Sequence, residues 1–338
     1  MRIFASILNS LSAMKISIVV PVYNRPDEIV ELLQSIDRQD YRDFEVIVVE
    51  DGSTRTCKNE IAPFAEHFDL AYYYKENSGP GQSRNYGAQH ATGDYIVVLD
   101  SDVILPDNYL STVAQGLADG SIDAFGGPDR ANPSFTATQK AINYSMTSFL
   151  TTGGIRGGMK QADKFHPRSF NMGVRTPVWH KLGGFAQMRY GEDIDFSIRL
   201  KEAGYRVLLL RDAWVWHKRR NTIASFYRQV HHFGQARICL YRLHPSTLKL
   251  IHLLPTAFAL GTIVLLLAAP FTYGISLAPL LLLIMVIFAD SLRLNKDLHV
   301  AALSVVTTFV QQFGYGLGFL SECFVRSNSG QMLDEKNL

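Results

Sequence analysis

Cysteine is scarce in this chain. Cys57, Cys239 and Cys323 are the only three in 338 residues, they lie far apart, and no two form a CxxC pair. That spacing argues against a disulfide framework and a structural zinc site, and it suits a reducing compartment for the soluble part. An excess of charge of one sign is also lacking: 33 basic residues against 31 acidic ones leave a formal net charge of +2. A protein that binds nucleic acid electrostatically carries a strong basic bias, so nucleic acid is not an expected partner. No internal repeat and no low-complexity linker stands out. The glycine-rich TTGGIRGGMKQADKF, residues 151–165, reads either as an exposed connector or as a mobile lid. The opening MRIFASILNSLSAM does not read as a signal peptide, having a single early charge. Its apolar residues at 3, 4, 7, 8 and 11 have helical spacing, so residues 1–14 are either a short interfacial helix or an extended start.

Long apolar runs are absent up to about residue 245 and dominate afterwards. Leu250–Ala269, Phe271–Ala289 and Leu298–Leu320 are each long enough to cross a hydrocarbon core of roughly 30 Å, which takes about 20 residues. The chain therefore divides into the opening segment 1–14, a soluble domain at 15–245, a transmembrane region at 246–322 with three expected helices, and a polar tail at 323–338. Pro270 leaves almost no loop between the first two spans. His252, Pro255, Gln311 and Gln312 within the spans read as helix-packing and hydrogen-bonding groups rather than a channel. Arg237, Arg242 and Lys249 before the first span, and Arg293 and Lys296 between the second and third, fall on one side if there are three spans. By the positive-inside rule that side is the cytoplasm, and the soluble domain shares it.

Residues 15–102 alternate strand and helix. KISIVVPVY (Lys15–Tyr23), FEVIVVED (Phe44–Asp51), LAYYYKE (Leu70–Glu76) and YIVVLDSD (Tyr95–Asp102) read as strands. Arg25–Gln39 and Gly79–Ala91 read as helices, the first with Pro26 and acids in its opening turn. Near-continuous apolar strands separated by helices predict an α/β fold with a mostly parallel sheet covered on both faces. Ligands bind such sheets beyond the carboxyl ends of the strands. Polar residues stand at those ends: Asn24 and Arg25, then Glu50 and Asp51, then Asp100 and Asp102. On a strand, residues i and i+2 point to the same side, which would press Asp100 and Asp102 together. Two like charges resist joint ionisation, and a divalent cation bound with a diphosphate would offset their repulsion. A lone DxD is common in solvated loops; its place after YIVVL gives it weight.

The segments VVPVYNRPDEI, VIVVEDGST, GPGQSRNYGAQHATGDYIVVLDSD, FNMGVRTPVWHKLGGF and GEDIDFSIRL, in this order over roughly residues 15–220, resemble the family 2 glycosyltransferases. The resemblance implies a GT-A fold: a Rossmann-like, mostly parallel sheet with helices on both faces, here followed by an α-helical transmembrane region. It implies inverting transfer of a sugar from a nucleotide diphosphate sugar, with a UDP-sugar as the expected donor and Mg2+ or Mn2+ as cofactor. Pro21, Tyr23, Asn24 and Arg25 then match the motif that lines the nucleotide. Glu50 and Asp51 match an acidic pair that usually reads Asp-Asp, so Glu50 departs from the pattern. Gly81, Arg84 and Asn85 match a helix start beside the donor, where Arg84 would add a cation for phosphate; an ordinary helix-surface charge is the alternative. Asp102 matches the direct metal ligand, with Asp100 on ribose or on the metal through water, and His217 matches a third ligand.

Asp193 matches the family's catalytic base, which must reach the acceptor hydroxyl; Glu192 and Asp195 could instead serve the start of the next helix. Lys218, Arg219 and Arg220 would stabilise the departing diphosphate or face lipid headgroups. Trp179 and Phe185 would stack on an acceptor sugar or belong to the core. RQVHHFGQAR (Arg228–Arg237) stands where processive synthases carry QxxRW, which favours adding one sugar per encounter. The expected whole is an integral membrane enzyme, in the bacterial inner membrane with its catalytic domain on the cytoplasmic side, acting on a glycan or polyprenyl-linked acceptor amid membrane lipids. Two rivals remain at this point. A nucleotidyltransferase would carry a glycine- and lysine-rich loop after the first strand, whereas VPVYNRPDEI has neither residue. A binding scaffold would have no need of Asp100, Asp102, Asp193 and His217 together.

Overall fold

The computed structural model describes residues 14–132, 134–152, 165–188 and 190–325. An interfacial helix or extended start before residue 14, most of the glycine-rich stretch and the tail beyond 325 lie outside the described residues. The chain forms two compact units. Within the described residues, one takes 14–130 and 165–217, the other 131–152 and 218–325.

The first unit is built on a seven-stranded sheet, ordered β3-β2-β1-β4-β8-β6-β9. Its strands are β1 (Ile16–Val22), β2 (Phe44–Asp51), β3 (Asp69–Lys75), β4 (Tyr95–Leu99), β6 (Ala124–Gly126), β8 (Asn171–Arg175) and β9 (Val207–Leu209). β1 pairs in parallel with β2 and β4, β2 with β3, and β6 with β9; β8 runs antiparallel between β4 and β6. The sheet is thus mostly parallel, as the sequence pattern predicts. Every residue of β1, β2 and β4 is buried, which is why these strands read as continuous apolar runs rather than alternating ones. Alternate side chains feed two cores. Ile18 and Val20 join the core that holds α1 (Pro26–Asp37), while Val19 joins Ile47, Val98, Trp179 and Phe196 on the opposite face. α1 buries Ile29, Leu32, Leu33 and Ile36, one helical stripe, and carries Asp27 and Glu28 in its first turn, where negative charge suits the macrodipole.

α2 (Pro80–Ala88) lies on the sheet at close range: a Cβ on Gly87 would stand 2.4 Å from Val19 Cγ1. α3 (Tyr109–Leu117) covers the other face. A second, three-stranded sheet orders β5 (Val103–Ile104), β10 (Val215–His217) and β7 (Asp129–Arg130), with β10 central.

The second unit is helical. α4 (Ala137–Thr147) begins with a capping box in which Thr136 and Gln139 satisfy each other's backbone N–H groups. α7 (Ile223–Leu243) precedes α8 (Leu254–Ala268), α9 (Ala278–Asn295) and α10 (Leu298–Phe324); α5 (Thr176–Leu182) and α6 (Glu192–Glu202) belong to the first unit. Counted with their flanking turns, Leu250–Ala268, Ile275–Asn295 and Leu298–Phe324 are long and apolar enough to cross a membrane. Several polar groups in the bundle are hydrogen-bonded within it, while the buried Thr256 and Thr262 hydroxyls of α8 have no hydrogen-bond partner among the described residues. Ser291 donates to Ser304 at 2.7 Å, and Gln312 Nε2 donates to the Thr151 carbonyl at 2.9 Å. α10 meets α7 backbone to backbone. A Cβ on Gly318 would stand 2.0 Å from the His231 carbonyl oxygen, and one on Gly234 2.1 Å from that of Tyr315.

That approach predicts a clear mutational contrast. Gly318→Ala should lower the melting temperature of the detergent-solubilised chain, by an overpacking cost of about 1–3 kcal/mol. Gly261→Ala, whose added methyl meets nothing within 4 Å beyond its own helix backbone, should not lower it and should raise it slightly through the better helix propensity of alanine.

Candidate active site

The site forms where the sheet opens. β1 and β4 stay paired only as far as Val19 and Val98, whereas β1 and β2 continue to Val22 and Glu50. Pro21, which has no N–H to donate, falls beyond the end of the β4 ladder. Strand order reverses direction at β1, so this gap is a topological switch point, where open α/β sheets bind ligands. Tyr23, Asn24 and Arg25 leave β1 there, and Asp100 and Asp102 follow β4.

The two aspartates do not converge through strand pleating. β4 ends at Leu99, and Asp100–Asp102 form a turn closed by a Val103 N–H to Asp100 carbonyl bond of 3.3 Å. The turn places Asp102 immediately before β5, and the β5–β10 ladder sets His217 opposite Val103. One register contact thereby unites residues over a hundred positions apart: His217 Nε2 lies 3.2 Å from Asp102 Oδ1. The Phe170 ring stacks on the imidazole, centroids 4.8 Å apart, and fixes its plane. Arg25 Nη1 reaches the other oxygen, Asp102 Oδ2, at 3.0 Å, and Glu28 at 2.8 Å. Ligand atoms of Asp100, Asp102 and His217 all lie within 4.8 Å of one another. Two carboxylates and an imidazole at this spacing fit a divalent cation.

Arg84 joins this cluster to the next. Its side chain is 4% exposed, so the helix-surface reading fails. Nη2 lies 2.5 Å from Asp100 Oδ1 and Nη1 3.4 Å from Glu192 Oε1. Glu192 and Asp193 open α6 (Glu192–Glu202), next to Gly191 in the left-handed region. Both acids are inside the protein, and they titrate apart. Burial, then the neighbouring Asp193 charge, pushes the Glu192 carboxyl up. Burial would push Asp193 up too, but the Arg168 guanidinium, the Ser169 N–H and Arg84 together outweigh it and hold that carboxyl below its usual range. Arg168 Nε donates to Asp193 Oδ2 at 2.7 Å. Asp195 instead pairs with Arg199 one helical turn on, at 2.8 Å.

The residues at the end of β2 and just beyond it organise walls. Glu50 is fully buried; its Oε1 accepts from the Ser53 hydroxyl, and its Oε2 from Cys57 N at 2.8 Å and Sγ at 3.0 Å. The longer acid reaches across the turn that Gly52 begins at φ 72°. Asp51 accepts from Lys75 Nζ at 2.6 Å, Ser78 N at 2.9 Å and Gly79 N at 3.0 Å, tying β2 to the start of α2. Asn24, left-handed at φ 53°, accepts from the Thr54 and Arg55 backbones at 2.9 and 3.0 Å. Tyr23 is half exposed. Gly81 faces Glu192, whose Cγ would lie 3.1 Å from an added Cβ.

Trp179, in α5 (Thr176–Leu182), and Phe185 are core residues, packed edge to face with centroids 5.1 Å apart. Arg219 and Arg220 fall in the second unit, where Arg219 bonds Asn143 Oδ1 at 3.1 and 3.2 Å. Arg168, Phe170 and Lys75 were not among the sequence-level candidates. Lys75 could have been found, because it ends β3 as the acids end β2; nothing in HPRSF marks Arg168 or Phe170.

Residues 17–183 match the family described as Glycosyl transferase family 2. The chain carries a family 2 glycosyltransferase domain. The chain is 38% identical over 92 residues to an uncharacterised glycosyltransferase of Rickettsia conorii, covering 27% of this chain and 15% of that one. It is 32% identical over 115 residues to the GalNAc(5)-diNAcBac-PP-undecaprenol beta-1,3-glucosyltransferase of Campylobacter jejuni, covering 33% and 37%. The chain thus spans well under half the length of these curated relatives. Among solved structures, the mannosyltransferase PcManGT of Pyrobaculum calidifontis, in complex with GDP-Man and Mn2+, superposes with a TM-score of 0.63 at 20% identity, over 92% of this chain and 94% of that one. The family 2 domain therefore has a GT-A-like fold.

Glu50→Ala should strand the Ser53 hydroxyl and the Cys57 N–H inside the protein. Each unsatisfied group costs about 1–3 kcal/mol, so thermal unfolding of the variant should begin several degrees lower. Glu50→Gln, which keeps the length and one acceptor oxygen, should recover part of the loss.

Proposed function

We propose that the chain is a membrane-anchored inverting glycosyltransferase that moves a sugar from a nucleoside diphosphate sugar to a hydroxyl of a lipid-linked glycan. The observation that carries this reading is the Arg84 guanidinium, which touches both Asp100 of the DxD turn and Glu192, the neighbour of the candidate base. Two acidic clusters far apart in sequence thus share one crevice, as transfer between a diphosphate donor and an acceptor requires.

Asp193 accepts the acceptor's hydroxyl proton as that oxygen attacks the anomeric carbon, and the bond from that carbon to the diphosphate oxygen breaks on the opposite side. Asp102, His217 and Asp100 would hold a divalent cation, which would supply positive charge for the departing diphosphate. The imidazole favours Mn2+ over Mg2+, and the archaeal neighbour was solved with Mn2+. Arg84 adds charge on the same side. Asp51, Asn24, Tyr23, Pro21 and Gly81 shape the nucleotide pocket, with Glu50 supporting it from behind.

The three apolar helices, Leu250–Ala268, Ile275–Asn295 and Leu298–Phe324, support a membrane anchor within the helical unit, and the sheet unit supplies the candidate site. Arg237, Arg242, Lys249, Arg293 and Lys296 support a cytoplasmic face, in a bacterial inner membrane. The Campylobacter relative is named for an undecaprenol-linked acceptor, which supports a polyprenyl-linked glycan here. The UDP-sugar expectation rests on the family resemblance, and the archaeal neighbour holds GDP-mannose, so a donor panel should contain both nucleotides.

In membranes carrying the chain, one of these nucleotide sugars should release nucleoside diphosphate; release of pyrophosphate would mean nucleotidyl transfer instead. Asp193→Asn should still bind the donor by calorimetry while its turnover falls by about 10²–10⁴-fold. Retained turnover would remove Asp193 from the mechanism. Asp102→Asn should abolish the Mn2+ dependence of donor binding, and the absence of any such dependence in the unaltered chain would favour a non-catalytic scaffold.

A further inference from the structure

We propose that Arg168 is a positioning residue for the candidate base: its Nε–H, 2.7 Å from Asp193 Oδ2, selects Asp193 over the adjacent Glu192 as the acid that stays ionised and aimed. The inference rests on the reading of Asp193 as the base. Its geometric support is the way both carboxylate oxygens are held. Oδ2 receives Arg168 Nε and, at 3.4 Å, the Ser169 N–H; Oδ1 receives the Ile194 N–H at 2.8 Å. Held from both ends, the carboxylate cannot rotate, and Oδ1 keeps a second lone pair for a hydroxyl.

The charged groups facing the pair come from four places: Glu192 and Asp195 on α6, Arg84 on α2, Asp129 on β7, and Arg168 itself in the segment before β8. Asp195 is engaged with Arg199, and Arg84 stands on the Glu192 side. Among the described residues, Arg168 is therefore the cation that makes direct contact with Asp193. Without it, two neighbouring acids inside the protein would compete for one proton. Asp193 would then hold a proton at pH values where the unaltered chain has it ionised.

The test uses the full-length chain in detergent, with Mn2+, and measures slow hydrolysis of the active nucleotide sugar, water replacing the acceptor. Arg168→Gln should move the acidic limb of the pH–rate profile upward by about 1–3 units, the span by which a neighbouring arginine lowers an aspartate. Donor KM should stay within about twofold, because Arg168 touches the base and not the DxD turn. Arg168→Lys, which keeps the charge but not the directed Nε–H, should move the limb less than Arg168→Gln does, and still measurably. Calorimetry with the nucleoside diphosphate confirms that each variant is folded; if Arg168→Gln is not, the Arg168→Lys profile decides. A limb that stays at its original pH in the folded variants overturns the inference. If Asp193→Asn is inactive and the limb does not move, this inference alone fails; if Asp193→Asn is active, the assignment of the base fails with it.

Discussion

The repulsion between carboxylates gathered at one end of a parallel sheet is the constraint around which the first unit is arranged. Asp100, Asp102, Glu192 and Asp193 would resist sharing a low-dielectric crevice if they stood alone. Each is matched instead. Arg84 spans Asp100 and Glu192, Arg25 and His217 meet Asp102, and Arg168 meets Asp193. These four partners come from different parts of the chain. Arg84 rides on a helix that lies close on β1 because residue 87 is glycine, and His217 arrives on a strand of the small second sheet.

The uneven division of charge within the Glu192–Asp193 pair gives the site its direction. Two adjacent acids in the same helix turn experience opposite pulls, one raised by burial and its neighbour, the other lowered by a guanidinium. Environments that push like groups apart in this way are how a protein assigns different protonation states at one pH. The three apolar helices belong to the other unit, whose own cohesion comes from glycine-mediated backbone approach and internal hydrogen bonds.

Much of this was legible in the sequence because it rests on local pattern. Unbroken β-branched runs mark buried strands, and Ile29, Leu32, Leu33 and Ile36 mark a helix face. The polar residues that end β1, β2 and β4 mark the ligand edge. What was not legible depends on register and direction. The antiparallel course of β8 follows from no periodicity, and the pairing of His217 with Asp102 follows from a ladder of two residues between very short strands. The convergence of Asp100 and Asp102 was anticipated, but the reason is a turn and not a pleat, since strand periodicity does not reveal where a strand stops. Arg84 could have been a surface charge on helical spacing alone; only the packing of Gly87 on Val19 turns its face inward. Arg168 escaped notice because an arginine in a segment without regular structure has no pattern to betray it.

Asn24, Glu50 and Asp51 use their side chains almost wholly on backbone amides and neighbours, stapling the loops after β1 and β2 to each other and to the head of α2. Under the proposed function, an incoming nucleotide would meet walls whose shape was settled when the chain folded. The disorder surrendered on docking would then be mostly the ligand's own, and selectivity among donors would become a matter of outline and hydrogen-bond match rather than of how readily a loop can be persuaded to close.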